Sequence, residues 1–102
     1  MIKTLFMLML LAGLATADEV HWVDVRTGSE YHTGHVKGAI NIPHDEIAEK
    51  IGSVTQDKNA TIHLYCRSGN RSGKALQILQ NMGYVKAINE GGYNEIVNRA
   101  SK

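Results

Sequence analysis

From Val20 onward the chain alternates short apolar, β-branched runs with stretches of helical period. Val20-His21-Trp22-Val23-Asp24-Val25 alternates in polarity, so it predicts a strand ending near Arg26. Thr27-Gly28-Ser29 breaks the strand, and Glu30 to Thr33 forms a short helical turn with Ser29 or Thr27 as its N-cap. Gly34-His35-Val36-Lys37-Gly38 is a turn region, followed by a short apolar strand, Ala39-Ile40-Asn41-Ile42. Pro43 suits the first position of a helix reaching Ile51. Its acids lie in the early turns, as the helix dipole prefers, and Ile47, Ala48 and Ile51 share one apolar face.

Gln56-Asp57-Lys58-Asn59 is a polar turn leading into a β-branched strand, Thr61 to Tyr65. The next helix spans Gly73 to Met82, where Ala75, Ile78, Leu79 and Met82 fall at i, i+3, i+4 and i+7 and Gly83 follows as the stop signal. Val85 to Asn89 is a further strand and Gly91-Gly92 a turn. Tyr93, Ile96, Val97 and Ala100 form the apolar face of a last helix. Strands alternating with helices predict a single α/β domain, a small parallel sheet with helices on both faces. Such sheets bind ligands beyond the carboxyl ends of their strands.

One of those ends carries Tyr65-Cys66-Arg67-Ser68-Gly69-Asn70-Arg71-Ser72-Gly73, with the only cysteine of the chain. The segment is expected as a surface turn between strand and helix. The unpaired N–H groups and partial positive charge of a helix start favour anions, and a thiolate is one. Arg67 and Arg71 add full positive charge. The bland alternative, a small buried hydrophobe, fits poorly with such polar neighbours. Gly69 is expected to let the loop curl with its N–H groups inward.

The remaining features narrow the setting. Met1-Ile2-Lys3-Thr4, the apolar run Leu5 to Leu14, and Ala15-Thr16-Ala17 have the layout of a secretory signal peptide cleaved after residue 17, too short for a membrane span. No cysteine follows the apolar run, so lipoprotein processing is not expected. The domain is then residues 18–102, exported to the periplasm or secreted. Removing Lys3 brings the formal charge from +1 to near zero, with nothing to suggest a nucleic-acid or membrane-surface partner. One cysteine allows neither an internal disulfide nor Cys-x-x-Cys dithiol chemistry. An unpaired thiol kept in an oxidising compartment suggests a reactive thiol in use. The five histidines, His21, His32, His35, His44 and His63, show no metal-site spacing, so no metal and no cofactor are expected.

Two stretches resemble the signatures of the single-domain rhodaneses, thiosulfate sulfurtransferases that include small exported forms. Asp24-Val25-Arg26, Glu30-Tyr31 and Gly34-His35-Val36-Lys37-Gly38-Ala39-Ile40-Asn41-Ile42-Pro43 are similar to the family's N-terminal signature. Tyr65 to Ser72 resembles its active-site loop, and Gly91-Gly92 before an aromatic also recurs. The resemblance runs from about Val20 to Ala100. It implies that Cys66 is the nucleophile, taking the outer sulfur of thiosulfate, releasing sulfite and passing sulfur to a thiophilic acceptor such as cyanide or a thiol. Substrate binding would fall to Arg67, Ser68, Gly69, Asn70, Arg71 and Ser72, whose N–H groups cradle the anions. Arg67 either contacts the sulfonate end or is a solvated charge. Arg71 either recognises anions or ties the loop to a buried acid, and Ser72 suits an N-cap better than a catalytic role. Asp24 and Arg26 are expected to be architectural, Arg26 pairing with Glu30, and His35 to be a structural hydrogen-bonding residue. A monomer is expected.

Other chemistries share the residues. Cysteine phosphatases and arsenate reductases place five residues between Cys and Arg, whereas Cys66 and Arg71 are separated by four. The shorter loop suits a sulfur atom and crowds a phosphoryl group. No acid stands in the loop to protonate an alkoxide. A persulfide carrier serving a protein thiol would use the same residues, and a catalytically dead regulatory domain is disfavoured by the intact cysteine.

Overall fold

The computed structural model describes residues 18–100. The predicted signal peptide therefore lies outside the described residues. Four parallel strands form one sheet in the order β2-β1-β3-β4: β1 Val20–Asp24, β2 Ile40–Asn41, β3 Thr61–Cys66 and β4 Lys86–Gly92. The helices are α1 Gly28–His32, α2 Ile47–Lys50, α3 Asn70–Asn81 and α4 Tyr93–Ala100. This is the α/β architecture that the alternating pattern predicts.

Strand alternation assigns the two faces. Ile62, Leu64 and Cys66 of β3 lie with Val23 and Val25 against Ile47 and Ile51 of the α2 region and Ala75 and Leu79 of α3. Thr61, His63 and Tyr65 belong to the other face, where Tyr65 packs with Ala39 and Ile96 of α4. Ile78 and Met82 flank the first cluster half-buried, as the α3 periodicity requires. Gly83 follows α3 in the left-handed conformation, the stop that glycine provides.

Several boundaries move. The predicted helix from Pro43 to Ile51 is one short α-helix between two 3-10 turns, His44–Glu46 and Ile51–Ser53. Ala48 is exposed, so only Ile47 and Ile51 form its buried face. The strand expected over Ala39–Ile42 shortens to Ile40–Asn41. Of the last helix, Ile96 is buried, whereas Val97 and Ala100 are exposed. Gly91-Gly92 ends β4 rather than forming a separate turn. At the site the shift is at α3, which starts at Asn70, three residues before the expected Gly73.

Leu79→Ala should lower unfolding free energy by about 2–5 kcal/mol, the usual cost of emptying a packed leucine site. Val97→Ala, at a 40% exposed position, should stay within roughly 0.5 kcal/mol of the parent. Urea unfolding at constant m-value measures both.

Candidate active site

Cys66 is the last residue of β3, and its side chain follows Leu64 onto the core face. It is 0% exposed, whereas Arg67, Ser68 and Asn70 are exposed. The loop lies at the surface as expected, but its cysteine does not: Cys66 is the floor of the loop. The buried side chain belongs to the apolar core cluster, yet its sulfur also meets polar donors from the loop. Gly69 N–H donates to Sγ at 2.9 Å and Ser72 N–H at 3.4 Å, with the Ser72 hydroxyl also 3.4 Å away. Burial pushes the thiol pKa up. Hydrogen bonds from the Ser72 hydroxyl and the N–H groups of Ser72, Ser68 and Gly69 outweigh it, leaving the thiol below its ordinary value.

The curl rests on Gly69, at φ 95°, a left-handed conformation that costs glycine little. Gly69 is the N-cap of α3, and no side chain caps this helix. Ser72 is thus not the N-cap expected from sequence. It sits buried inside the first turn, its hydroxyl donating to Oδ1 of Asn89 at 2.7 Å. Asn89 was not singled out by the sequence reading, although it follows Ala87 at strand spacing on the core-facing side of β4. Its Nδ2 donates to the Gly69 carbonyl at 3.0 Å, and its Oδ1 also accepts from Gly91 N–H at 3.0 Å. Register places Leu64 opposite Asn89 and Cys66 opposite Gly92, so β4 carries one extra residue in a bulge beside the site.

The arginines divide into three roles. Arg71 makes a bidentate pair with Glu30, Nη1–Oε1 2.8 Å and Nη2–Oε2 3.1 Å. It ties the loop to α1, the second of the two expected alternatives, although its partner is a half-exposed acid and not the buried one expected. Glu30 also closes the capping box of Thr27. The Arg71 hydrogen bond, together with bonds from Thr27, holds the Glu30 carboxyl down at about 2 despite opposing desolvation. Arg26 does not pair with Glu30. It folds back on Asp24, with Nη2–Oδ2 at 2.6 Å and Nε on both carboxylate oxygens, because the strand end places the two residues side by side. Both are buried, and the guanidinium also donates to the Gly34 carbonyl and lies 4.5 Å from the Tyr93 ring centroid. The pair is architectural, as expected. Arg67 has no acidic partner among the described residues. It lines a cavity of about 370 Å³ with Arg26, Glu30, Thr33, Tyr93 and Asn94.

His35 stacks on Tyr31 with ring centroids 3.7 Å apart and hydrogen-bonds the Tyr31 carbonyl through Nδ1 at 2.9 Å, a structural role. His63 pairs with Glu90 under the Trp22 ring, on the opposite sheet face. Among the described residues no group of three or more His, Cys, Asp or Glu is arranged to hold a metal ion.

The rhodanese-like domain model matches residues 9–99, nearly the whole chain. The chain belongs to the rhodanese family. It is 44% identical over 94 residues to the thiosulfate sulfurtransferase PspE of Escherichia coli (strain K12), covering 92% of this chain and 90% of that protein. A sulfurtransferase of Allochromatium vinosum is 34% identical over 79 residues, 78% of this chain and 72% of that one. Among solved structures, a rhodanese with anions from E. coli superposes with a TM-score of 0.72 at 46% identity, covering 74% of this chain and 89% of that one. In this rhodanese the approach of β4 to the loop leaves no spare room. A Cβ on Gly92 would stand 2.4 Å from the Arg67 carbonyl oxygen.

An ultraviolet titration of thiolate absorbance, with Cys66→Ser as blank, should give a midpoint below the roughly 8.5 of a free cysteine. The native thiol ionises more readily than the unfolded one. It therefore adds stability above the unfolded pKa, and that gain fades as pH falls through the native one. Gly92→Ala, by pushing the loop off its donors, should move the midpoint back toward the free value.

Proposed function

We propose that this chain is a thiosulfate sulfurtransferase acting through a persulfide on Cys66. The observation that carries this reading is a thiol at the floor of a hydrogen-bonding loop, with its pKa lowered by N–H donors that can equally hold a sulfur anion. The kinship to PspE supports the choice of donor.

In the first step the Cys66 thiolate attacks the outer sulfur of thiosulfate. The sulfur–sulfur bond of the donor breaks, sulfite leaves with the electron pair, and Cys66 carries one added sulfur. In the second step a thiophilic acceptor, cyanide or a thiol, attacks that sulfur and the Cys66 thiolate departs. The step uses the thiolate fraction, which the N–H donors raise by lowering the thiol pKa, so no dedicated base is assigned. The N–H groups from Arg67 to Ser72, Gly69 and Asn70 among them, hold the persulfide and the departing sulfite. Arg67, with no acidic partner, attracts the sulfonate end. Arg71, committed to Glu30, acts by holding the loop in shape.

A phosphatase reading is disfavoured by the four-residue spacing from Cys66 to Arg71 and by the engagement of Arg71 with Glu30, which keeps that guanidinium from a phosphoryl group. The leader pattern of residues 1–17 supports export, to the periplasm in a cell with two membranes. Among the described residues no helix is long and apolar enough to cross a membrane. We take the working unit to be a monomer with a small anionic sulfur donor.

Intact mass spectrometry after incubation with thiosulfate should show about one added sulfur atom, removable by cyanide. Release of phosphate from an aryl phosphate with no sulfur adduct would replace this reading by phosphatase chemistry. Cys66→Ser should lose the adduct and turnover together while keeping the thermal transition, since a serine oxygen accepts the same N–H bonds. Arg67→Ala should weaken thiosulfate use at low salt, with the deficit shrinking as salt rises, because exposed charge attraction is screened. A salt-independent deficit would assign Arg67 to loop shape.

A further inference from the structure

The Ser72 hydroxyl has one proton and two acceptors within reach, Oδ1 of Asn89 at 2.7 Å and Sγ of Cys66 at 3.4 Å. We propose that Asn89 is a positioning residue that competes with Cys66 for this proton and so sets the thiolate fraction of the resting enzyme. The proposal deepens the sulfurtransferase reading, but its readout needs no sulfur donor, so the two stand or fall separately.

The orientation of the Asn89 amide is fixed by its neighbours. Gly91 N–H can only donate, so the group facing it is Oδ1. The Gly69 carbonyl can only accept, so the group facing it is Nδ2. The hydroxyl of Ser72, buried in the first turn of α3, therefore meets an oxygen on the β4 side and a sulfur on the β3 side.

Two proton arrangements follow. With Cys66 as a thiol, S–H donates to the Ser72 oxygen and the Ser72 O–H donates to Asn89 Oδ1, a two-link chain in which every proton has an acceptor. With Cys66 as a thiolate, the Ser72 O–H turns to the sulfur, and Asn89 Oδ1 keeps only Gly91 N–H. The second state gains a charge-assisted bond and gives up a short neutral one. Asn89 thus favours the thiol, opposing the N–H groups of Gly69 and Ser72, which favour the thiolate. Through Nδ2 it also braces the Gly69 carbonyl, and hence the curl that aims those N–H groups.

The two actions of Asn89 have opposite signs, which makes them separable. Losing the brace raises the Cys66 midpoint, while losing the competitor lowers it. Other charged or titratable groups around the sulfur are left in place by substitution at Asn89. They are Arg67 and Arg71 of the loop, Glu30 of α1 behind Arg71, Asp24 and Arg26 at the end of β1, Tyr65 on β3, and Glu95 of α4, which accepts from Gly92 N–H. None of these side chains is bonded to Sγ.

The test is the thiolate absorbance titration of the full domain carrying Asn89→Ala or Asn89→Asp, each also made in a Ser72→Ala background, with thermal melts to verify folding. Asn89 is exposed, so alanine there is compatible with the fold. Asn89→Ala should raise the thiolate-to-thiol ratio at a fixed pH below the midpoint by about threefold to tenfold, the worth of one net hydrogen bond. In the Ser72→Ala background only the brace is left to lose, so there Asn89→Ala should leave the ratio unchanged or lower it. Asn89→Asp, a stronger acceptor for the hydroxyl, should shift the ratio the other way, and by more with Ser72 present than without it. An Asn89→Ala change no more favourable to the thiolate with Ser72 present than in the Ser72→Ala background would overturn the proposal and leave only the brace. An equal gain with and without Ser72 would overturn it too, because the effect would then bypass the hydroxyl.

Discussion

A sulfur anion can be kept inside a protein only if donors surround it and those donors are themselves held still. Here the donors are main-chain N–H groups at the start of α3, and what holds them is the left-handed backbone at Gly69. The rest of the site is arranged around that curl. Gly92 lies against the Arg67 carbonyl, Asn89 grips the Gly69 carbonyl from β4, and Arg71 anchors the far end of the loop to Glu30. Two of these contacts come from β4 and the third from α1, so the loop is fixed by the fold and not by its own sequence alone.

The two ion pairs show how similar residues come to different uses. Asp24 and Arg26 are both buried and satisfy one another at the carboxyl end of β1, with the guanidinium also bonded to the Gly34 carbonyl and lying over the Tyr93 ring. Such a pair costs desolvation and gives back orientation. Glu30 and Arg71 are half-exposed and contribute geometry across a gap of forty-one positions in the chain. With both of these cations neutralised, Arg67 is left as the loop arginine that has no acidic partner among the described residues.

Much of this was legible in the sequence. Periods of two and 3.6 marked the strands and the buried faces, and the loop around Cys66 marked the site. What escaped has physical reasons. The start of α3 was missed because its cap is a backbone conformation at Gly69, which leaves no side-chain signal, so Ser72 looked like the cap. The partner of Arg26 was misassigned to Glu30 on the resemblance, although i, i+2 residues share one face at a strand end and put Asp24 within reach of the guanidinium. Cys66 was placed at the surface on the polarity of its neighbours, although the alternation Ile62, Leu64, Cys66 aims it inward. Asn89 lies on the same face by the same alternation. A polar residue at a core-facing strand position was the signal that pointed to it.

The complete enclosure of Cys66 has a further consequence. A buried thiol discriminates by girth before chemistry begins. A bulky disulfide or oxidised peptide must force the loop apart to reach the sulfur, whereas a slender inorganic anion needs a far smaller opening. In an oxidising medium such enclosure gives a lone cysteine the kinetic protection that small secreted domains obtain by pairing their thiols. The wall of donors around the sulfur is thus also a screen against bulky reagents.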